Sequence, residues 1–192
     1  RKKTLAIKKM EGSTIHAILV LLTLLPTLTT AGADIFAAVR ADDAAAVSAA
    51  LDGGASLNGR GQGGQTPLMA SVLQGKVNAV RVLLAAGADV TIPEKDGYTP
   101  MHGAGFQGRA AIAKLLIAHG LDPSDTHKDG YNALHRACWG REARHTETAR
   151  VLLEAGVEPI EPGRCGASET NQILSDWFQA GGDPRKPTSE EL

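Results

Sequence analysis

The sequence predicts an all-α solenoid: helix-turn-helix units stacked side by side, with short β-hairpin-like loop fingers between them. Three observations predict it. Thr66-Pro67-Leu68 returns as Thr99-Pro100-Met101 and again as Asn132-Ala133-Leu134, a spacing of 33 both times. Apolar residues fall at helical spacing in the second half of each unit, at Val80, Leu83 and Leu84 and then at Ile112, Leu115 and Leu116. Glycines punctuate the units at fixed offsets, Gly75 and Gly108 in the middle and Gly87, Gly120 and Gly156 at the end. A fixed period of roughly 20–50 residues is the mark of a repeat architecture, in which each unit buries its apolar face only against its neighbours.

Residues 1–33 stand apart. They hold five of the 20 basic residues and one of the 21 acidic ones, so the remainder of the 192-residue chain carries a net charge of −5. The basic stretch RKKTLAIKK, an apolar run from Ile15 to Leu25 and the Ala31-Gly32-Ala33 site have the layout of a secretory signal peptide. The run is shorter than the ~20 residues a membrane-spanning helix needs. Cleavage before Asp34 and a secreted or periplasmic protein are expected. The alternatives are an uncleaved anchor, touching a membrane only through residues 10–33, or a cytoplasmic protein translated from a different start.

The units follow in order at about 34–62, 63–95, 96–128 and 129–164, with a truncated cap at 165–184 and a polar tail at 185–192. The first unit lacks the Thr-Pro-Leu string, but Val47, Leu51 and Gly54 lie 33 before Val80, Leu84 and Gly87. Its small, polar character suits a terminal cap. In the second and third units Thr66 and Thr99 are placed to cap the first helix, and the proline that follows each suits the first helical turn. Gly87, Gly120 and Gly156 stand where a C-terminal cap requires a positive φ. Asp96-Gly97 and Asp129-Gly130 mark tight turns at the loop tips. The fourth unit is longer by three residues around Trp139–Thr146, which predicts a longer turn between its helices. Only 25 residues separate Pro159 from Pro184, so the cap has room for one helix, at about 167–179.

These strings resemble the ankyrin repeat family. Asp96-Gly97-Tyr98-Thr99-Pro100-Met101-His102-Gly103-Ala104, then Gly108, and Val82-Leu83-Leu84 with Gly87-Ala88-Asp89 match its motif in register and several times over. The resemblance covers roughly residues 34–184. It implies a non-enzymatic scaffold that binds a protein partner in a concave groove built from the loops and first helices. It also implies which residues face that groove. Gln65, Tyr98 and Tyr131 form one column, and Leu73, Phe106 and Trp139 a second, with Gln107 and Arg141 beside it. Glu94, Lys95 and Asp96, then His127, Lys128 and Asp129, stand at the loop tips. Aromatic anchors carry much of the energy at protein interfaces, and four of the seven aromatic residues fall in these columns.

Other residues invite sharper chemistry. His102 and His135 occupy the histidine of the repeated string, where the resemblance implies bonds to backbone and a link between units. Asp122, Asp125 and Asp129 do not have the alternating spacing of a calcium loop, and turn chemistry accounts for them. GRGQGGQ at 59–65 lacks the strand before it and the Lys-Ser/Thr after it that a phosphate cradle needs. Arg136, Arg141, Arg144, His145 and Arg150, interleaved with Glu142, Glu147 and Glu154, read as a solvated, salt-bridged helix pair, with a docking site for an acidic partner as the alternative. Cys138 reads as an inert buried thiol and Cys165, in PGRCGAS, as a more exposed one. A bond between them would need an oxidising compartment and a geometry that spacing does not set.

The near-balanced charge excludes a generally basic nucleic-acid binder. Two cysteines cannot build a disulfide scaffold or a four-cysteine zinc site. No catalytic motif, cofactor or metal site is predicted, and a monomer is expected. Two further functions compete: an exported accessory or inhibitory module that protects or blocks one enzyme, and an enzyme using histidine or cysteine.

Overall fold

A computed structural model describes residues 34–181; the signal-like segment 1–33 and the tail from 182 onward lie outside the described residues. Two helices open it, α1 (Ile35–Ala41) and α2 (Ala44–Asp52). A 3₁₀ turn at Gln62–Gly64 leads into α3 (Pro67–Gln74) and α4 (Val77–Ala85). Then come α5 (Pro100–Gln107) and α6 (Ala110–Ala118), α7 (Ala133–Cys138) and α8 (Ala143–Glu154), and finally α9 (Ser168–Gln179). Each pair forms an antiparallel hairpin. The first helices stack as α1, α3, α5 and α7, the second helices as α2, α4, α6 and α8, and α9 closes the row on α8.

One apolar core runs between the two rows, from Ile35 and Val39 at one end to Leu174 and Trp177 at the other. Leu83, Leu116 and Leu152, at equivalent positions of successive second helices, are fully buried. Burying each such side chain is worth about 2 kcal/mol, so stacking of neighbours supplies the stability that a lone pair of helices lacks.

The sequence signals map onto caps. The Thr66 hydroxyl accepts from the Met69 amide at 3.1 Å. Thr99 and His102 form a capping box, and Asn132 with His135 forms the same box in the third copy. Gly75 and Gly108 have φ of 71° and 65°. A Cβ at Gly75 would meet Arg109 at 2.7 Å, and one at Gly108 would meet Arg144 at 2.8 Å. Conformation requires glycine at both positions; at Gly108 the close passage of the Arg144 backbone adds to it, whereas at Gly75 the flexible end of Arg109 can give way.

Side chains rivet adjacent units. Arg109 Nη2 donates to the Leu73 carbonyl at 3.3 Å, and His145 Nε2 donates to the Phe106 carbonyl at 3.2 Å. Asp42, itself left-handed at φ 55°, accepts from the Ala79 amide at 2.9 Å and so caps α4 from the preceding unit.

The loop fingers are hairpin-like, as the sequence predicts: one backbone bond closes each, Gly61 to Gln65 at 2.8 Å, Glu94 to Tyr98 at 2.9 Å and His127 to Tyr131 at 3.0 Å. No strand occurs among the described residues. The extra length in the fourth unit does not all go to the turn. There α7 has 6 residues where α5 has 8, and α8 has 12 where α6 has 9, so the turn gains two residues and the second helix three.

The cysteines also differ from the sequence expectation: they are not free thiols. Cys138 and Cys165 form a disulfide with their Cα atoms 4.6 Å apart. It ties the loop before α9 to the end of α7. The Gly166 amide reinforces it by donating to the Cys138 carbonyl at 2.7 Å. Asn171 of α9 holds the same loop, its Oδ1 accepting from the Gly163 and Cys165 amides.

Candidate protein-binding groove

Residues of the first helices and of the fingers line the same clefts. Among them, Phe106, Trp139 and Tyr131 are 55%, 45% and 41% exposed. Phe106 is the last residue but one of α5 and Trp139 follows α7 directly, so both project from helix ends beside the fingers. Tyr98 and Tyr131 each close a finger. Repeat register alone puts them in columns.

Arg136 joins the columns. Its guanidinium carbon lies 4.8 Å from the centre of the Tyr98 ring, 5.6 Å from Tyr131 and 4.6 Å from Trp139, all within cation–π range. It also ion-pairs with Asp129. The sequence reading put Arg136 in a solvated helix pair; it is instead only 7% exposed and forms part of the groove floor. Its neighbours Arg144 and Arg150 do fit that reading, pairing in solvent with Glu142 and Glu147. Nothing in the sequence distinguishes Arg136 from them except its place four residues after Asn132, on the inner face of α7.

His127 is the second residue that differs from the sequence expectation: it is not an open loop-tip group but is 8% exposed. Its ring stacks on Tyr98 at 4.0 Å, and Nε2 donates to the Asp96 carbonyl at 3.1 Å, joining two fingers. Nδ1 faces Asp129 at 3.1 Å. Desolvation would raise the Asp129 carboxyl, but bonds from Arg136 and the Tyr131 amide outweigh it and hold the group below the ordinary carboxylate range. His102 is 3% exposed, and burial, aided by the nearby His127 and Arg136, lowers its pKa. The same cause, with Arg136, acts on His135. Both histidines make structural bonds through Nδ1 to the helix cap.

The groove holds two clefts. One, of about 370 Å³, is lined by Leu73, Tyr98, Phe106 and Gln107, with Met69 and Arg136 among its other walls. The second, of about 390 Å³, is lined by Tyr131, His135 and Trp139 and by Ile160 and Arg164 of the disulfide-tied loop. The sequence-predicted residues therefore fall in two groups that Arg136 connects. Gln65 is half-buried at the first finger, and Lys95 and Lys128 are exposed at the tips of the second and third. Arg141 is placed elsewhere, in a cleft between α8 and α9 with Glu147, Arg150 and Glu169.

Gly103 and Gly105 on α5 carry no sequence signal of their own. A Cβ at Gly105 would run into the Ala133 carbonyl, so this glycine sets how closely α5 and α7 approach and how near Arg136 comes to Tyr98. Asp122 and Asp129 act in turns, accepting from the Ser124 amide at 2.8 Å and the Tyr131 amide at 3.1 Å. Among the described residues no group of three or more His, Cys, Asp or Glu is arranged to hold a metal ion, and no helix is long and apolar enough to cross a membrane.

Comparison with known proteins agrees with the repeat architecture. A family model for ankyrin repeats (many copies) matches residues 50–104, and one for ankyrin repeats (three copies) matches residues 92–161. Together they span more than half of the chain, and the chain belongs to the ankyrin repeat family. No curated protein matches it. Ankyrin repeats are protein–protein interaction modules and are typically non-enzymatic.

Proposed function

We propose that the chain recognises one protein partner in the groove between its fingers and first helices, with Phe106, Tyr131 and Trp139 as anchors. The observation that carries this reading is the exposure of these three rings on one face, at 55%, 41% and 45%. Monomeric surfaces leave few large aromatics open in one place. The scaffold is stiff, so binding costs little ordering. Export from the cytoplasm belongs to the same reading. The Cys138–Cys165 bond supports it, since disulfides persist in oxidising compartments, and so does the signal-like layout of residues 1–33.

The test is affinity capture from the native host with the full chain as bait, comparing wild type with a Phe106→Ala/Trp139→Ala variant. A partner held stoichiometrically by the wild type and lost by the variant supports the reading. Equal capture by both defeats it. If that partner is an enzyme whose turnover changes on binding, the scaffold is an accessory or inhibitory module.

A further inference from the structure

We propose that the cleft beside Phe106 takes a basic side chain of the protein partner, a lysine or arginine. Its aliphatic stem would lie on Met69, Leu73 and Phe106, and its cation would meet Glu94 and Asp96. The inference rests on the groove reading above and names the chemistry of the partner.

The cleft has two parts of different character. One part of its lining is apolar, with Met69, Leu73, Gly103 and Phe106, and another carries Glu94 and Asp96 of the second finger. Neither carboxylate has an ion-pair partner among the described residues. Of the cations nearby, Arg136 lines the cleft but is already paired with Asp129. Lys95, between the two acids in sequence, is exposed at the finger tip and is not among the residues that line the cleft. His102, also in the cleft wall, is held toward its neutral form by burial. The free charge facing the cleft is therefore negative.

Lysine and arginine fit such a site because they bury an aliphatic stem and keep the charged head at the rim. A wholly apolar partner residue would strip water from two carboxylates and give nothing in return. An acidic one would meet like charge. The net charge of −5 over residues 34–192 adds long-range attraction for a basic partner.

The experiment is selection of a random peptide display library on the immobilised full chain, in parallel with Glu94→Gln/Asp96→Asn and with Phe106→Ala. Circular dichroism and the thermal midpoint check that each variant folds. The expected result is at least tenfold enrichment of Lys or Arg next to apolar residues on the wild type, lost on Glu94→Gln/Asp96→Asn. Peptides that need Phe106 but show no basic preference, or keep it on the charge variant, overturn this inference and leave the groove reading standing. Retention indifferent to Phe106→Ala, or no retention at all, overturns the groove reading and this inference with it.

Discussion

Arg136 and Asp129 form an ion pair in which the cation is 8% exposed and the carboxylate 34%. The pair is asymmetric: the guanidinium has left water and depends on what surrounds it, while the carboxylate keeps part of its hydration. Three rings and one carboxylate supply that surrounding. Arg136→Ala removes the stem that packs under Tyr98 and Trp139 and leaves Asp129 without its partner. We expect a thermal midpoint lower by about 5 °C. Arg136→Lys is expected to recover only part, because a compact ammonium cannot lie flat against several rings at once. A variant as stable as wild type would show that the groove floor does not need the cation.

Phe106 and Trp139 are about half exposed, so their removal takes little from the core. Phe106→Ala with Trp139→Ala is expected to weaken partner binding at least thirtyfold, about 2 kcal/mol, the threshold of an interface hot spot. Far-UV circular dichroism should stay near that of the wild type. Titration calorimetry with the captured partner measures the first and a CD spectrum the second.

The fold was legible because its signals are local and repeat. Thr66 and Thr99 cap helices, Gly87 and Gly120 have φ of 83° and 89°, and a single helix at Ser168–Gln179 follows the fourth unit, all as local chemistry dictates. The groove was half legible. Repeat register identifies Tyr98, Phe106, Tyr131 and Trp139, because position within a unit determines which face a residue takes. It says nothing of Arg136, whose burial depends on rings contributed from two units, or of Arg141, which the lengthened fourth unit moves to another face. The disulfide was not legible for the same reason: the approach of Cys165 to Cys138 depends on how the loop before α9 folds back over α7.

That bond closes a segment with a sequence separation of 27. On the chain-entropy account, cross-linking a loop of this length stabilises the native state by about 3.5 kcal/mol. Cys165→Ser, or reduction of the wild type, is expected to cost a comparable amount in urea denaturation. The loss should be felt first at the C-terminal end, where α9 is held by α8 and the tied loop. Limited proteolysis should therefore cut between 159 and 167 in the reduced protein before it cuts the central units. No change in the urea midpoint would mean that Asn171 and the buried hydroxyl bond between Thr146 of α8 and Thr170 of α9, at 2.8 Å, hold the cap unaided.

Gly120 ends α6 at φ 89° with nothing within 4 Å of where a Cβ would stand. Space is therefore not the constraint, and conformation is. Gly120→Val places a β-branched residue in a region L side chains avoid, at a cost of about 2 kcal/mol. Gly120→Asn should cost less, since asparagine tolerates the left-handed region. The urea midpoints of the two variants rank them, and a valine variant equal to wild type would mean that the chain re-forms the cap without a positive φ.

Acid should loosen the central units before it affects the carboxylates. His102 is 3% exposed, and burial, with His127 and Arg136 nearby, lowers its pKa from 6.5; burial and Arg136 do the same to His135. A histidine with a depressed folded-state pKa is held neutral by the fold, while the unfolded chain takes up its proton near pH 6.5. The unfolded state then binds more protons, and stability falls as the pH drops below 6.5. The Asp129 carboxyl, shifted below the ordinary carboxylate range, acts in a lower window and loses its contribution only as the pH falls through that range. The urea midpoint is therefore expected to be constant above about pH 7.5 and to decline by pH 5.5. His102→Gln, which keeps a polar group at the cap without a titrating ring, should flatten the decline. A midpoint unchanged between pH 7.5 and 5.5 would show that the folded chain accepts the charged imidazole at no cost.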